Sequence, residues 1–572
     1  MMTEPGEAVA VPANAVEFDQ AMEDLRHGSR RWADLSARER GAIFSATHHA
    51  IGPVAQRWAE TAAVAKLLRP TENLAAEEWM SGPYAALIGA ARFARTFADF
   101  AEHGTTLSGT AFGPGPGGRV AVQVLPQGLQ EWVLFNGFRI DVWSRPGVTQ
   151  EDLQRTAGLA ARSREPGGVA LVLGAGNISA IGPLDVFYEI AAHNRACLLK
   201  LNPTFQTLLL VYQQALKPLI DADLLRIVNG DGAVGAYLTQ HPGIDKVHIT
   251  GAAATHDLIV WGSSPEAERR KAAGAPLLTT EITSELGGVS PVIVVPGSWS
   301  TRDLRHQAEH VATMRLHNCG HNCVAAQTVI VSSDWPQKGA FLRELRGVLD
   351  HLPAREPWYP GTEAKLEAAR AAHPDAEDHR GRLLIEVPAD LPNDIEEFEY
   401  FGPILGVTKL PGTGREFLHA AVDFANDRLA GTLGANVLIA PRDRRALGGA
   451  FLEEIARLRY GTVAINAWTA VGFLQPAASW GAFPGHTLDA VGSGIGVVHN
   501  GHLIADPERT VVSGPFRTFP FSVLGGEFSL FPRPPWFITA RHSLQTARRL
   551  TAYAIKPGGR RIASVLAAAF RG

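Results

Sequence analysis

An α/β fold built around parallel sheet is what this sequence predicts, and three observations carry the prediction. From Gly167 onward, short apolar runs alternate strictly with segments of helical character, the pattern of βαβ units covered on both faces. The first run, Val169-Ala170-Leu171-Val172-Leu173, is apolar at every position, as a strand buried on both faces should be. Glycine clusters, Gly174-Ala175-Gly176-Asn177 and Gly230-Asp231-Gly232-Ala233-Val234-Gly235, stand where two of these strands end. Glycines there let a backbone approach a phosphate at a helix N-terminus, and a tight turn into a helix with no ligand is the competing explanation.

Taken in order, residues 1 to about 112 read as a helical layer, with Arg38 to Ala50 and Val54 to Leu68 as its clearest stretches. Gly113-Pro114-Gly115-Pro116-Gly117-Gly118 reads as a loop. Arg119 to Leu125 and Glu131 to Trp143 are β-branched and aromatic runs, the second split by Asn136-Gly137, a strong hairpin signal. Residues 118–146 are therefore expected to form a projecting hairpin arm used in oligomerisation. The α/β set follows: strand Val169 to Leu173, helix Gly182 to Asn194, strand Ala196 to Leu201, helix Gln206 to Leu219, strand Leu225 to Val228, helix Val234 to Gln240 and strand Lys246 to Thr250. A second set runs from Val289 through Val329-Ile330-Val331 to Ile465. The expected domains are 1–117 with 147–288, then 289–500, then an extension over 501–572.

At 572 residues the chain exceeds what one hydrophobic core sustains, roughly 250–300 residues. With 53 basic and 57 acidic side chains the net charge is −4, which asks for no nucleic acid partner. Three cysteines, Cys197, Cys319 and Cys323, are too few for a disulfide framework and fit a reducing compartment. The first residues lack the order of a signal peptide, and no apolar run approaches the roughly 18 residues of a membrane span. The cytoplasm is the expected location.

The segment His317-Asn318-Cys319-Gly320-His321-Asn322-Cys323 concentrates two thiols and two imidazoles. Its spacing matches no zinc site, because an extended segment would crowd all four on one face, so no metal is expected. Either one cysteine is a nucleophile or both are buried small hydrophobes.

In chain order, Asn177, Lys200, Ile249-Thr250-Gly251, Glu285-Leu286-Gly287-Gly288, the Cys323 segment and Glu399-Tyr400-Phe401-Gly402-Pro403 resemble the aldehyde dehydrogenase superfamily over roughly residues 30 to 500. That family's nucleophile pattern is N-x-G-Q-x-C-x-A-x-x-R. Here Asn318, Gly320, Cys323 and Ala325 match it, while His321 replaces the Gln and Thr328 the Arg. The resemblance implies a Rossmann-type domain for NAD or NADP over 1–117 and 147–288, and a catalytic domain over 289–500. It also implies an aldehyde substrate and a homodimer or homotetramer.

Position by position, the resemblance makes Cys323 the nucleophile, Asn177 with the Cys323 backbone N–H the oxyanion hole, and Glu285 the base that hydrolyses the thioester. It makes Lys200, Gly230, Gly251, Gly287, Glu399 and Phe401 cofactor contacts. Pro203 stands where the family often has a Glu that favours NAD, and Gly176 where a Trp commonly precedes the Asn. A CoA-acylating enzyme and a catalytically silent scaffold are the alternatives. Trp468, Phe473 and Phe483 are candidates to line an apolar substrate channel, or to be core.

After Glu527 the chain carries eight cations and no acid, which leaves residues 1–527 at −12. Ala540, Leu544, Ala547, Leu550 and Ala554, then Ile562, Val565, Leu566, Ala569 and Phe570 after Pro557-Gly558-Gly559, recur at helical spacing. Two amphipathic helices are expected, preceded by Trp536, Phe537 and Ile538. They either pack on the acidic body or a neighbouring subunit, or lie peripherally on an anionic membrane.

Overall fold

The computed structural model describes residue 12, residues 15–263 and residues 265–571. The leader expectation concerns residues outside these. The helical layer comprises Ala15–Asp34, Ala37–Ala65 and Ala85–His103. Ser36 and Glu39 close a capping box on the second helix, which runs unbroken through Pro53 and joins two stretches expected separately. Phe18, Trp32, Phe44, Phe93 and Phe97 turn inward and share one core with Phe187 and the strands beneath.

Six strands form the first sheet, in the order Leu225–Val228, Ala196–Lys200, Val169–Leu173, Lys246–Gly251, Glu281–Leu286 and Gly494–Ile495. All pairings are parallel except the last. The order reverses at Val169–Leu173, so the carboxyl ends of the strands open a crevice where such folds bind ligands. Gly174, Lys200, Gly230, Gly251 and Gly287 follow or end these strands. The helix expected over Gln206 to Leu219 is three short pieces, Pro203–Leu208, Leu209–Ala215 and Lys217–Asp221, because Pro218 cannot donate the N–H that would continue it.

The second sheet has eleven strands, from Phe112–Gly115 at one edge to Glu377–Asp378 at the other. Its centre, from Pro507–Ser513 through Thr462–Ile465, Gly434–Leu438, Ser290–Val294, Ala326–Ser332 and Ile404–Leu410 to Leu383–Val387, is parallel throughout.

The arm differs from expectation. Phe112–Gly115, within the glycine-proline stretch, is a strand paired with Arg119–Leu125, and the turn is made by Gly117 and Gly118 with φ of 66° and 75°. The second aromatic run is not one strand: Leu129–Leu134 is a helix, and only Arg139–Ser144 pairs with Arg119–Leu125. Asn136-Gly137 makes no two-residue hairpin turn. Its Asn136 accepts from the Ser529 hydroxyl and the Leu530 N–H, so a distant segment is pinned there. Nor does the arm stand free, because Arg139–Ser144 pairs antiparallel with Pro507–Ser513 of the same chain.

The tail forms helices Ser543–Ile555 and Gly559–Ala569. Ala547, Leu550, Ala554 and Val565 are buried, and Phe537 stacks on His306 and His310 with ring centroids 5.4 and 5.0 Å apart. Asn73 holds the start of the first helix through Ala540 and Leu544, and Arg533 pairs with Glu309 at 3.3 Å. The apolar faces that a membrane would receive thus lie against the body. No helix among the described residues is long and apolar enough to cross a membrane.

Candidate active site

The nucleophile loop begins where helix Thr301–Leu316 ends. Asn318, Cys319 and Gly320 adopt left-handed φ of 55°, 57° and 80°, which a network of buried groups sustains. The Asn318 amide donates to the carbonyls of Asn177 (3.1 Å) and His321 (2.9 Å), and its oxygen accepts from Lys66 Nζ (3.1 Å). Lys66 is buried and paired with Glu78 at 2.7 Å, beside Glu77 and Arg355, also at 2.7 Å. A side chain at Gly320 would strike the Gly402 carbonyl.

This loop delivers Cys323 to a cavity of about 50 Å³ that Asn177, Trp468, Phe473 and Trp480 help to line. Glu285 comes to the same place from the end of strand Glu281–Leu286 and is only 3 % exposed. Its carboxylate accepts from Trp480 Nε1 at 3.1 Å and has the Cys323 thiol as its neighbour. Burial pushes the Glu285 carboxyl up to about 7, against the pull of those two groups. Burial and the neighbouring carboxylate push the Cys323 thiol well above its usual range. The pair therefore holds a thiol next to a base poised near neutrality, an arrangement that can move a proton as sulfur attacks. Asn177 ends the glycine turn after Val169–Leu173 and donates its amide to the His321 carbonyl at 3.0 Å, which fixes it against the Cys323 loop.

Glu399 enters from the neighbouring loop, half-buried, with its carboxylate against Gly287. Burial raises its carboxyl to about 8, with Lys365 and Arg315 opposing, and its Oε1 has no partner. Gly287 lies so close that any Cβ would collide with this carboxylate. Phe401, at φ 49°, packs its ring 5.0 Å from Tyr359.

Along the strand ends Lys200 emerges 8 % exposed, its ammonium disfavoured by burial and supported by Asp231. Asp231 caps helix Gly232–Thr239 by accepting from the Ala233 and Val234 N–H groups. Gly232 faces open space, and the Cβ direction of Gly235 points to Lys200 Cε at 4.0 Å. Gly251 is exposed and meets only Ile249. Gly230 is different, since a Cβ there would strike Val234, so packing alone accounts for that glycine.

Residues 145–365 match the profile of the aldehyde dehydrogenase family. The chain as a whole shares the fold of solved aldehyde dehydrogenases. Its fold is similar to that of γ-glutamyl-γ-aminobutyraldehyde dehydrogenase from Burkholderia cenocepacia, at 19 % identity, with 87 % of this chain and 88 % of that one covered and a TM-score of 0.59. It is also similar to a mutant aldehyde dehydrogenase C from Pseudomonas syringae, in complex with NAD+ and octanal (18 %, 88 % and 89 %, 0.58). A third is an NADP-dependent glyceraldehyde-3-phosphate dehydrogenase from Bacillus halodurans complexed with NADP (17 %, 87 % and 91 %, 0.57).

The departures from that family's nucleophile pattern have structural reasons. His321, in the Gln position, is buried among Trp358, Tyr359 and Phe401, and its Nε2 meets the Thr362 hydroxyl at 3.0 Å. Burial holds its pKa down to about 2, so it acts as a neutral wedge. Thr328 is buried, and Arg315, buried nearby, donates to the carbonyls of Ala326 (3.2 Å) and Gly402. Gly176 takes the Trp position because the Asn202 side chain fills the space, 2.6 Å from where a Cβ would be.

The fold brings Cys323, Glu285, Asn177, Gly287, Glu399 and Phe401 into one neighbourhood, and Lys200, Gly230 and Gly251 to adjoining strand ends. Trp468 and Phe473 line the cavity, whereas Phe483 faces Arg509 at 4.8 Å. Among the described residues no three metal-ligating side chains converge. Sequence reasoning missed Arg315, Lys66 and the hydrogen bond of Trp480 to Glu285, none of which has a local signal.

Proposed function

We propose that the chain oxidises an aldehyde to a carboxylic acid with NAD+ or NADP+, through a thioester on Cys323. The observation that carries this reading is the meeting of Cys323 and Asn177 on one small cavity with Trp480, whose indole N–H binds the buried Glu285 carboxylate. Cys323 Sγ attacks the carbonyl carbon while its proton passes to Glu285, and the new oxyanion accepts from the Asn177 amide and the Cys323 N–H. The nicotinamide, when bound, supplies the acceptor for the aldehyde hydrogen. Glu285, ionised again, takes a proton from the water that attacks the thioester, and the thiol leaves with the carboxylic acid released.

The residues present fit such a cofactor. The partnerless Glu399 Oε1 and the open space beside Gly232 and Gly251 favour it, with Lys200, Glu399 and Phe401 as its holders and Gly251 and Gly287 as backbone approaches. The complexes of the similar proteins with NAD+ and with NADP support the same pair here. Pro203 offers no carboxylate to repel a 2′-phosphate.

Glu285 beside the thiol favours hydrolysis over transfer to CoA, and a strict requirement for CoA would overturn that choice. The test is a panel of aldehydes with each nicotinamide, read by formation of reduced cofactor. Cys323→Ala is expected to lose at least about 10⁴-fold, as removal of a nucleophile does; turnover undiminished in that variant sinks the reading. The proposal includes a cytoplasmic homodimer or homotetramer. Leu129 and Trp132, exposed by 77 % and 53 % on the arm, support association, and sedimentation velocity tests it.

A further inference from the structure

A second cavity, of about 320 Å³, lies beside the one that holds Cys323. Met80, Val471, Leu474 and Trp536 line both, so the two spaces meet across these four side chains. The larger space is walled by Tyr84 of the helical layer, by Leu134 of the arm, and by Leu550, Val565 and Ala569 of the C-terminal tail. Its cations, Arg92 and Arg95, are already paired with Asp99 at 3.2 and 2.6 Å, and Glu131 accepts the Gln127 N–H at 2.7 Å. An acidic or polyhydroxylated substrate tail would lose its hydration there without gaining free partners, whereas an alkyl chain would shed only its hydrophobic cost.

We infer that the substrate is a long-chain aliphatic aldehyde, whose alkyl chain passes from Cys323 between Met80, Leu474 and Trp536 into a chamber walled by residues 536–569. The inference rests on the reading of Cys323 as the group that attacks an aldehyde. Methionine at the junction suits such a ligand, because an unbranched thioether adapts to a flexible chain. The tail thereby acquires a part in substrate choice. Trp536 stands at the passage and the two tail helices form the outer wall, so the segment beyond the familiar part of the fold shapes specificity.

Two measurements on the full-length chain test this. In the first, kcat/KM is followed from butanal through octanal to dodecanal. The expected rise is about fourfold per added methylene until the chamber fills, which is the ~0.8 kcal/mol of burying a CH₂. Ala569→Trp, which fills the chamber, is expected to lower the dodecanal-to-butanal ratio about 30-fold. In the second, alkylation of Cys323 by iodoacetamide is followed by peptide mass spectrometry with dodecanamide or butanamide present. Dodecanamide should protect the thiol at concentrations where butanamide does not. Oxidation of aldehydes with no dependence on chain length, and no selective protection, overturns the chamber while leaving the dehydrogenase reading intact. Selective protection with no turnover of any aldehyde keeps the chamber and overturns that reading. Absence of both overturns both.

Discussion

The pocket around Cys323 and the groove along Lys200, Gly232 and Gly251 are both built at carboxyl ends of strands, yet by opposite means. The pocket is crowded: Glu285, His321 and Trp480 are buried, and each is fixed by a neighbour from another part of the chain. The groove is made by leaving side chains out, with open space beside Gly232 and Gly251. The difference teaches where a substitution reports on chemistry and where it reports on a ligand. In the pocket any change alters packing, charge and reactivity together. In the groove a methyl group costs the folded protein almost nothing, so a loss of activity there points to something the groove holds.

Glu285→Gln should have the largest effect of the four substitutions that sharpen this contrast. It keeps the shape and removes the base, so steady-state oxidation should fall about 10²–10⁴-fold. An acyl-enzyme visible on Cys323 by intact mass would place the loss at hydrolysis, and its absence would place it at the attack of sulfur, the two steps that Glu285 serves. Asn177→Ala comes next, with kcat expected to drop about 10²–10³-fold and the KM for aldehyde little changed. A KM effect alone would make Asn177 a packing residue.

The pH profile carries the third prediction. The base must be ionised, so kcat/KM should fall as pH drops through about 7, the position to which burial raises Glu285. Trp480→Phe removes a donor that favours the ionised form, and the acid limb should move to higher pH. A limb that stays in place in this variant assigns the titration to another group. The smallest effect belongs to the groove. Gly251→Ala should leave thermal stability within about 0.5 kcal/mol while raising the KM for nicotinamide about tenfold; an unchanged KM would remove Gly251 from the binding surface.

Much of this was legible in the sequence because it is local. Uninterrupted apolar runs such as Val169–Leu173 and Ala196–Lys200 announce buried parallel strands, and the tail periodicity from Leu544 to Ala554 announces its helix. Cys323, Glu285 and Asn177, far apart in the chain, could be named beforehand only from the motifs around them. What escaped is whatever depends on partners far along the chain. Leu129–Leu134 reads as strand until the tail helix packs against it, and Asn136-Gly137 reads as a hairpin until Ser529 and Leu530 bind Asn136. Arg315 reaches from the preceding helix to the carbonyls of Ala326 and Gly402, and nothing near it in sequence signals those partners.

The place of Pro507–Ser513, between Arg139–Ser144 and Thr462–Ile465, has a consequence for the nascent chain. The arm strands leave the ribosome early, yet the strand that joins them to the central sheet is made last of all its members. Until it arrives, Arg139–Ser144 and Thr462–Ile465 both present unpaired backbone edges, the kind that recruit foreign strands. The five parallel strands from Val169 to Leu286 can assemble long before. Synthesis therefore builds all of the first sheet but Gly494–Ile495 beside an incomplete partner, and the burden of avoiding aggregation falls on the interval before residue 513 emerges.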